Sequence, residues 1–408
     1  MSGLVYLERL LDGAEVEWVP LGHSDFFEVA NNARRPVKAS LREAGANPYY
    51  GANNVQDYVD GFTHDGEFVL IAEDGSASLE QYSVQYAVGK FWANNHVHVL
   101  RGTNAVNTRF LFHSLRIVDF QPFLTGGGRA KLTKGQLVNI PVPIPCPENQ
   151  QKSLAIQAEI VRILDAFTAL TAELTAELTA RKTQYNHYRN QLLSFESREV
   201  EWRALGDPRV GVFTRGGGLQ KKDLIDDGIP CIHYGQIYTH YGTYTDKSKS
   251  FVSEDFAKKA RKAKSGDLVI ATTSENDEDV CKAVAWLGAD DVVVSSDACF
   301  FTHNLDPKYV SFFFQTEHFQ KQKRTHITGT KVRRVNADDL AKILIPIPFP
   351  DDPARSLAEQ DRIANILDKF DTITTSLTEG LPREIALRQK QYEYYRNLLL
   401  SFPKGDQA

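Results

Sequence analysis

Between Ser153 and Phe195 the chain has neither proline nor glycine, and apolar residues recur at Ile156, Ile160, Ile163, Phe167, Leu170 and Leu174. Alternating steps of four and three residues set these on one stripe of a helix, the pattern of a coiled-coil seam. The 43 residues would span about 65 Å as one helix. After Leu174 the next apolar position is Leu178, and the register then resumes through Tyr185, Tyr188, Leu192 and Phe195. Two successive four-residue steps form a stutter, the mark of a tetrapeptide inserted into a heptad pattern. The inserted word is visible as TAELTAELTA, Thr171–Ala180. Thr171, Leu174, Thr175 and Leu178 are accordingly read as spacer positions. A second segment, Ser356–Phe402, keeps the pattern but carries GLP at Gly380–Pro382, which predicts a kink or short break.

The stretches from about Val19 to Asn139 and from Arg203 to Lys342 have a different rhythm. Short apolar runs such as FVLIA (Phe68–Ala72) and DLVIATT (Asp267–Thr273) alternate with the turn signals GANP, DDGIP and NLDPKY, which predicts strands and mixed α/β globules. The whole arrangement is duplicated. LVNIPVPIPCP (Leu137–Pro147) matches LAKILIPIPFP (Leu340–Pro350) at an offset of 203, and SLAIQ against SLAEQ and ILDAF against ILDKF hold that register. QYNHYRNQLLSF (Gln184–Phe195) matches QYEYYRNLLLSF (Gln391–Phe402), and EVEWVPLG (Glu15–Gly22) matches EVEWRALG (Glu199–Gly206). YLERLL (Tyr6–Leu11) resembles YRNQLL (Tyr188–Leu193), so the N-terminus looks like the tail of a repeat whose body lies at the C-terminus. A closed pseudo-two-fold arrangement with the chain ends meeting is the economical reading. The expected boundaries are 1–150 and 199–352 for two globular domains, with long helical segments at 151–198 and 353–408.

Composition narrows the chemistry. Hydrophobic residues make up 42% and charged residues 24%, as in ordinary globular protein. No apolar run approaches the roughly 20 residues of a membrane span, and no signal-peptide core opens the chain. Cys146, Cys231, Cys281 and Cys299 form no CxxC pair, so a reducing cytoplasm is expected. NPYY (Asn47–Tyr50) lacks the second proline of an adenine-methyltransferase motif, GGGRAKLTKG is not a P-loop, and neither HExxH nor GxSxG occurs. The acidic run ENDED (Glu275–Asp279) reads as a solvated loop.

What remains is a glycine-plus-base loop before each IPIP block, at the same repeat position: TGGGRAKL (Thr125–Leu132) and TGTKVRRV (Thr328–Val335). Three bases and no acid lie between Phe120 and Pro147; six bases and no acid lie between His318 and Ala337. In a chain of net charge −5, two local basic loops at equivalent positions favour nucleic acid, because glycine admits a close phosphate and Lys or Arg neutralises it or reads guanine. Candidate DNA contacts are Arg34, Arg35, Lys38, Tyr50, Asn53, Lys90, Asn95, Arg129 and Lys131 in the first half. In the second they are Arg215, Lys221, Tyr234, Gln236, Lys331, Arg333 and Arg334. Strand-edge packing is an equally good account of any single polar or aromatic member.

The paired IPIP–SLA–ILD blocks, the paired QYxxYRN–LLSF helix ends, the EVEW starts and the TAEL words together resemble the specificity subunit of a type I restriction-modification enzyme, over essentially the whole chain. The TAEL word points to the type IC group. The resemblance implies two α/β target-recognition domains that read the halves of a split double-stranded DNA site, held apart by two long antiparallel coiled-coil-like helices. It implies no catalysis and no cofactor in this chain. Two methyltransferase subunits would be recruited, with restriction subunits joining through them, and S-adenosylmethionine, ATP and magnesium would belong to those partners. Tyr185, Tyr188, Tyr392 and Tyr395, at the repeated helix ends, are candidate partner contacts. From another class, a coiled-coil scaffold joining two protein-binding domains is the alternative.

Overall fold

The computed structural model describes residues 3–126, 130–195, 199–376 and 379–402. The chain forms two compact units, one of Met1–Glu173 with Ile385–Ala408, the other of Leu174–Glu384. Each is a mixed α/β globule joined to helix.

In the first unit a six-stranded sheet runs in the order Phe27–Val29, Val97–Gly102, His64–Ala72, Val84–Ala93, Ala44–Tyr50, Val55–Val59. The FVLIA run forms the buried end of the central strand His64–Ala72, with Ile71 opposite Val84 on one side and His98 on the other. In the second unit DLVIATT supplies Leu268–Ala271, between Ala298–His303 and Ala283–Trp286 in a five-stranded sheet. Four consecutive buried residues there fit a strand covered on both faces.

The repeated blocks pair with one another. EVEW and IPIP form a two-stranded antiparallel ribbon in each unit, Val16–Pro20 on Pro141–Pro145 and Val200–Ala204 on Leu344–Pro348. A two-stranded ribbon has no central strand, so the prolines remove no inner ladder bond. Val142 and Ile144 in one ribbon, Ile345 and Ile347 in the other, point into the core. The cores correspond position by position: Ile160, Leu164 and Tyr392 in the first, Ile363, Leu367 and Tyr185 in the second. Leu7 and Leu11 join the first core beside Leu399, Leu400 and Phe402, so the two chain ends meet there.

The long helix runs without interruption from Gln150 to Leu192, 43 residues. Its C-terminal counterpart is two helices, Pro353–Thr375 and Gly380–Leu399. The break lies immediately before GLP, which forms the first turn of the second helix. Gly380 has φ +76°, and a Cβ there would lie 2.6 Å from the carbonyl oxygen of Thr372, so only glycine fits. The expected heptad seam needs correction near the first globule. Ile156, Ile160 and Leu164 are the buried residues, while Leu170 is 36% exposed. A helix lying on a globule turns its four-residue ridge inward, and burial follows that ridge rather than a partner-helix seam. The division between the two units crosses the long helix between Glu173 and Leu174, inside the TAEL repeat.

The SLAxQ block explains how helix and globule are joined. Gln157 is fully buried; its Oε1 accepts from the Asn107 amide at 2.8 Å and its amide donates to Ser153 Oγ at 3.0 Å. Gln360 repeats this with the Asp306 amide at 2.9 Å and Ser356 Oγ at 3.0 Å. The aspartate of the ILD block adds an ion pair, Arg109–Asp165 at 2.9 Å in one unit and Lys308–Asp368 at 2.8 Å in the other.

Candidate nucleic-acid interface

Both glycine-plus-base loops close on the same backbone frame. Thr125 and Lys131 exchange two amide–carbonyl bonds at 2.8 Å, and the Leu132 amide donates to the carbonyl of Glu73 at 2.7 Å. Thr328 and Arg334 exchange the same pair at 2.9 Å, and the Val335 amide donates to Thr272 at 3.2 Å. The side chains on that frame behave differently in the two units.

In the first unit Arg34 and Lys131 are tied up. Arg34 donates to Glu73 at 2.8 Å, to the Val97 carbonyl at 2.7 Å and to the Asn31 carbonyl at 3.1 Å, while Lys131 meets the other Glu73 oxygen at 3.0 Å. Burial opposes ionisation of Glu73, but the hydrogen bonds from Arg34 and Lys131 outweigh it and bring its pKa below the ordinary value. Arg34, placed among the DNA contacts by its charge, is thus an internal brace. Asn53 is committed as well, donating to Gly75 at 2.9 Å and accepting from the Ala77 amide at 2.8 Å. Tyr50 is half-buried with its ring edge-on to Phe91, and burial, with a smaller effect of Tyr58, raises its pKa. Arg35, Lys38 and Asn95 present exposed side chains. Hydrogen bonds tie the segments carrying Arg34, Tyr50 and Lys131 to the turns at 73–77 and 94–97. Lys90 stands outside that network, its ammonium 4.8 Å from the Phe62 ring. Arg129 lies outside the described residues.

In the second unit Arg215, Lys221, Lys331 and Arg334 are exposed. Arg215 and Arg334 line one cleft of about 260 Å³, together with Thr272, Thr273, Ser296 and Asp297. Arg333 pairs with Asp277 of the ENDED run at 2.7 Å, and that run is an exposed loop throughout, as expected. Gln236 is structural: its side chain accepts from the His233 amide at 3.1 Å and donates to Ser250 at 2.7 Å. Tyr234 is half-buried against the core, next to His233. Lys323, one of the six bases of the stretch, is fully buried and donates to the carbonyls of Glu278 and Val280 at 2.9 and 2.8 Å. Burial lowers its pKa. A lone lysine in a basic run carries no sequence sign of such a role.

The repeated tyrosines divide in two. Tyr185 and Tyr392 are 4% and 9% exposed and belong to the cores, so neither is available to a partner. The conserved spacing that singled them out reflects the helix face that packs inward. Tyr188 is 38% exposed, beside Phe370, and Tyr395 is half-buried on Phe167. Tyr394, which sequence reasoning passed over, is 59% exposed. Thr171, Leu174 and Leu178 are half-buried and Thr175 exposed. Among the described residues no group of three or more His, Cys, Asp or Glu side chains could hold a metal ion, and no helix is long and apolar enough to cross a membrane.

Comparison with known proteins follows the same duplication. The family described as the type I restriction modification DNA specificity domain matches twice, at residues 15–181 and 215–387. A type I restriction enzyme specificity subunit of Haemophilus influenzae is 44% identical, over 97% of this chain and 98% of that one. The EcoR124I/EcoR124II specificity subunit of Escherichia coli is 33% identical, over 100% and 99%. The S subunit of a type I system from M. genitalium has a similar fold, with a TM-score of 0.55 at 12% identity, covering 96% of this chain and 97% of its own. A chain solved in a study of complex assembly in the type I system gives a TM-score of 0.57 at 13% identity, covering 95% and 98%. With two family matches set on two equivalent α/β units, the chain belongs to the specificity subunits of type I restriction-modification enzymes.

Proposed function

We propose that this chain is the non-catalytic reader of a type I complex, each unit recognising one half of a bipartite, asymmetric DNA site. The observation that carries the reading is the doubled loop frame: the same basic hairpin in each unit, bearing different side chains. Two related frames with different chemistry suit two different half-sites. The helical segments set the distance between the half-sites and recruit two methyltransferase subunits, through which restriction subunits join. S-adenosylmethionine, ATP and magnesium act in those partners, in the cytoplasm. Assignment to the type IC group rests on the TAEL word.

Three experiments test this. Exchanging Val19–Asn139 for the equivalent segment of a relative should change one half-site, read by methylation mapping of the assembled complex, and leave the other intact. A change in both halves overturns the two-reader model. Deleting one TAEL word shortens the helix by about 6 Å, against about 3.4 Å per base pair. With tilt and twist between helix and duplex, the unspecified spacer should shrink by about one base pair. An active deletion with an unaltered spacer overturns the role of the repeat. Duplex binding by the full chain should also weaken steeply with salt, whereas a protein scaffold would show no such slope.

A further inference from the structure

In the second unit, smaller residues that line a cleft replace two side chains that fill the first. Strand pairing sets Ala271 opposite Ala298 as it sets Ala72 opposite Val97, so Thr272 stands for Glu73 and Cys299 for His98. In the first unit Arg34, Glu73 and His98 form a closed polar plug, with His98 Nε2 2.7 Å from the Leu132 carbonyl. In the second, Thr272 and Cys299 line a cleft of about 260 Å³ together with two guanidinium groups and one carboxylate. Among the described residues, Arg334 and Asp297 have no side-chain ion pair, and Arg215 reaches only the Ser296 carbonyl at 3.5 Å.

We infer that this cleft reads a G·C base pair in the second half-site, with Arg215 and Arg334 donating to the guanine edge and Asp297 accepting from the cytosine amino group. The inference rests on the DNA-reading function proposed above. A phosphate offers acceptors only and would be repelled by Asp297. A G·C pair presents guanine O6 and N7 as acceptors beside the N4 donor of cytosine, which matches a cleft carrying both signs. Among the described residues of the first unit, Arg34, Glu73 and His98 occupy the equivalent place, so other residues must read its half-site.

The test is selection of randomised duplexes by the full-length chain, followed by affinity measurements on the selected site. Arg334→Ala and Arg215→Ala should each cost on the order of tenfold in affinity and lose preference at a single position of the second half-site. Arg334→Lys keeps the charge but not the two-pronged geometry, so preference should fall while general affinity holds. Thr272→Glu should pair with Arg334 as Glu73 pairs with Lys131 and erase the same preference. In every variant the first half-site should be selected as before. Unchanged selection and affinity in these variants, with a wild-type chain that does select a bipartite site, overturns the cleft reading alone. Equal loss on all sequences with a shallower salt dependence makes the contact a phosphate and also overturns it. A wild-type chain that enriches nothing overturns both the cleft and the DNA-reading function.

Discussion

The two glycine-plus-base loops share hydrogen bonds almost atom for atom, yet among the described residues Lys131 of the first is paired with a carboxylate while Arg334 of the second is open. In the first unit Glu73 takes up both Arg34 and Lys131; in the second, Thr272 at that place leaves Arg334 facing a cleft. The difference teaches that a duplicated frame conserves backbone while side chains decide what is available for binding. A basic residue is evidence of a contact only after its neighbours have been counted.

The sharpest break between the loops should come from removing Glu73. Its side chain is 16% exposed and that of Arg34 17%, so Glu73→Ala takes the carboxylate from a half-buried guanidinium that keeps only the Asn31 and Val97 carbonyls. A loss of about 3 kcal/mol is expected at neutral pH. Thr272→Ala, at the equivalent place, should cost under about 1 kcal/mol, the worth of one hydroxyl bond. The pH dependence adds a second handle. Because the folded-state pKa of Glu73 lies below its ordinary value, its contribution is present above the ordinary carboxylate range and disappears as pH falls through the folded value. The gap between wild type and Glu73→Ala in denaturant unfolding should therefore narrow in acid. Equal responses of the two variants at neutral pH would show that the loops do not differ as described.

A smaller effect should be equal in the two units. Gln157→Ala and Gln360→Ala each leave one half-buried amide, that of Asn107 or Asp306, without its acceptor. About 2 kcal/mol is expected from each, and the two values should agree because the latch is the same. A marked inequality in calorimetric stability would mean that the helix–globule joints have diverged as the loops have.

Much of this was readable beforehand. The long helix, the break beside GLP and the duplication follow from periodicity, proline and the repeat offsets, all of which are local or additive properties, whereas the pairing of EVEW with IPIP does not. The role of SLAxQ was visible as a repeat but not as a latch, since Gln157 finds its partner 50 residues away. The site was harder. Charge alone brought Arg34 and Arg334 forward together, but Glu73 and Asp297 reach these loops through strand pairing, which no linear pattern displays. Composition likewise counted Lys323 among the surface bases, although two carbonyls hold it in the interior. The tyrosines erred in the same direction, because a repeated aromatic in a helix marks the face that packs as readily as the face that binds.

The smallest expected effect concerns Lys131, and it separates charge from recognition. Its side chain is 47% exposed and already shares Glu73 with Arg34, so Lys131→Ala removes the weaker of two partners. Exposed ion pairs contribute under about 1 kcal/mol, and Arg34 still satisfies the carboxylate, so stability should hardly change. Binding to duplex should weaken slightly and by the same factor on every sequence, since an ammonium anchored to a carboxylate can lend charge to a phosphate but offers no two-pronged geometry to a base. Arg334→Ala should show the reverse pattern, with stability unchanged and one base position lost. Affinity measurements on matched duplexes that differ at one position of each half-site would separate the two. Were Lys131→Ala to relax a position in the first half-site, the plug formed by Arg34, Glu73 and His98 would have to open on DNA, and the contrast between the loops would describe the free protein alone.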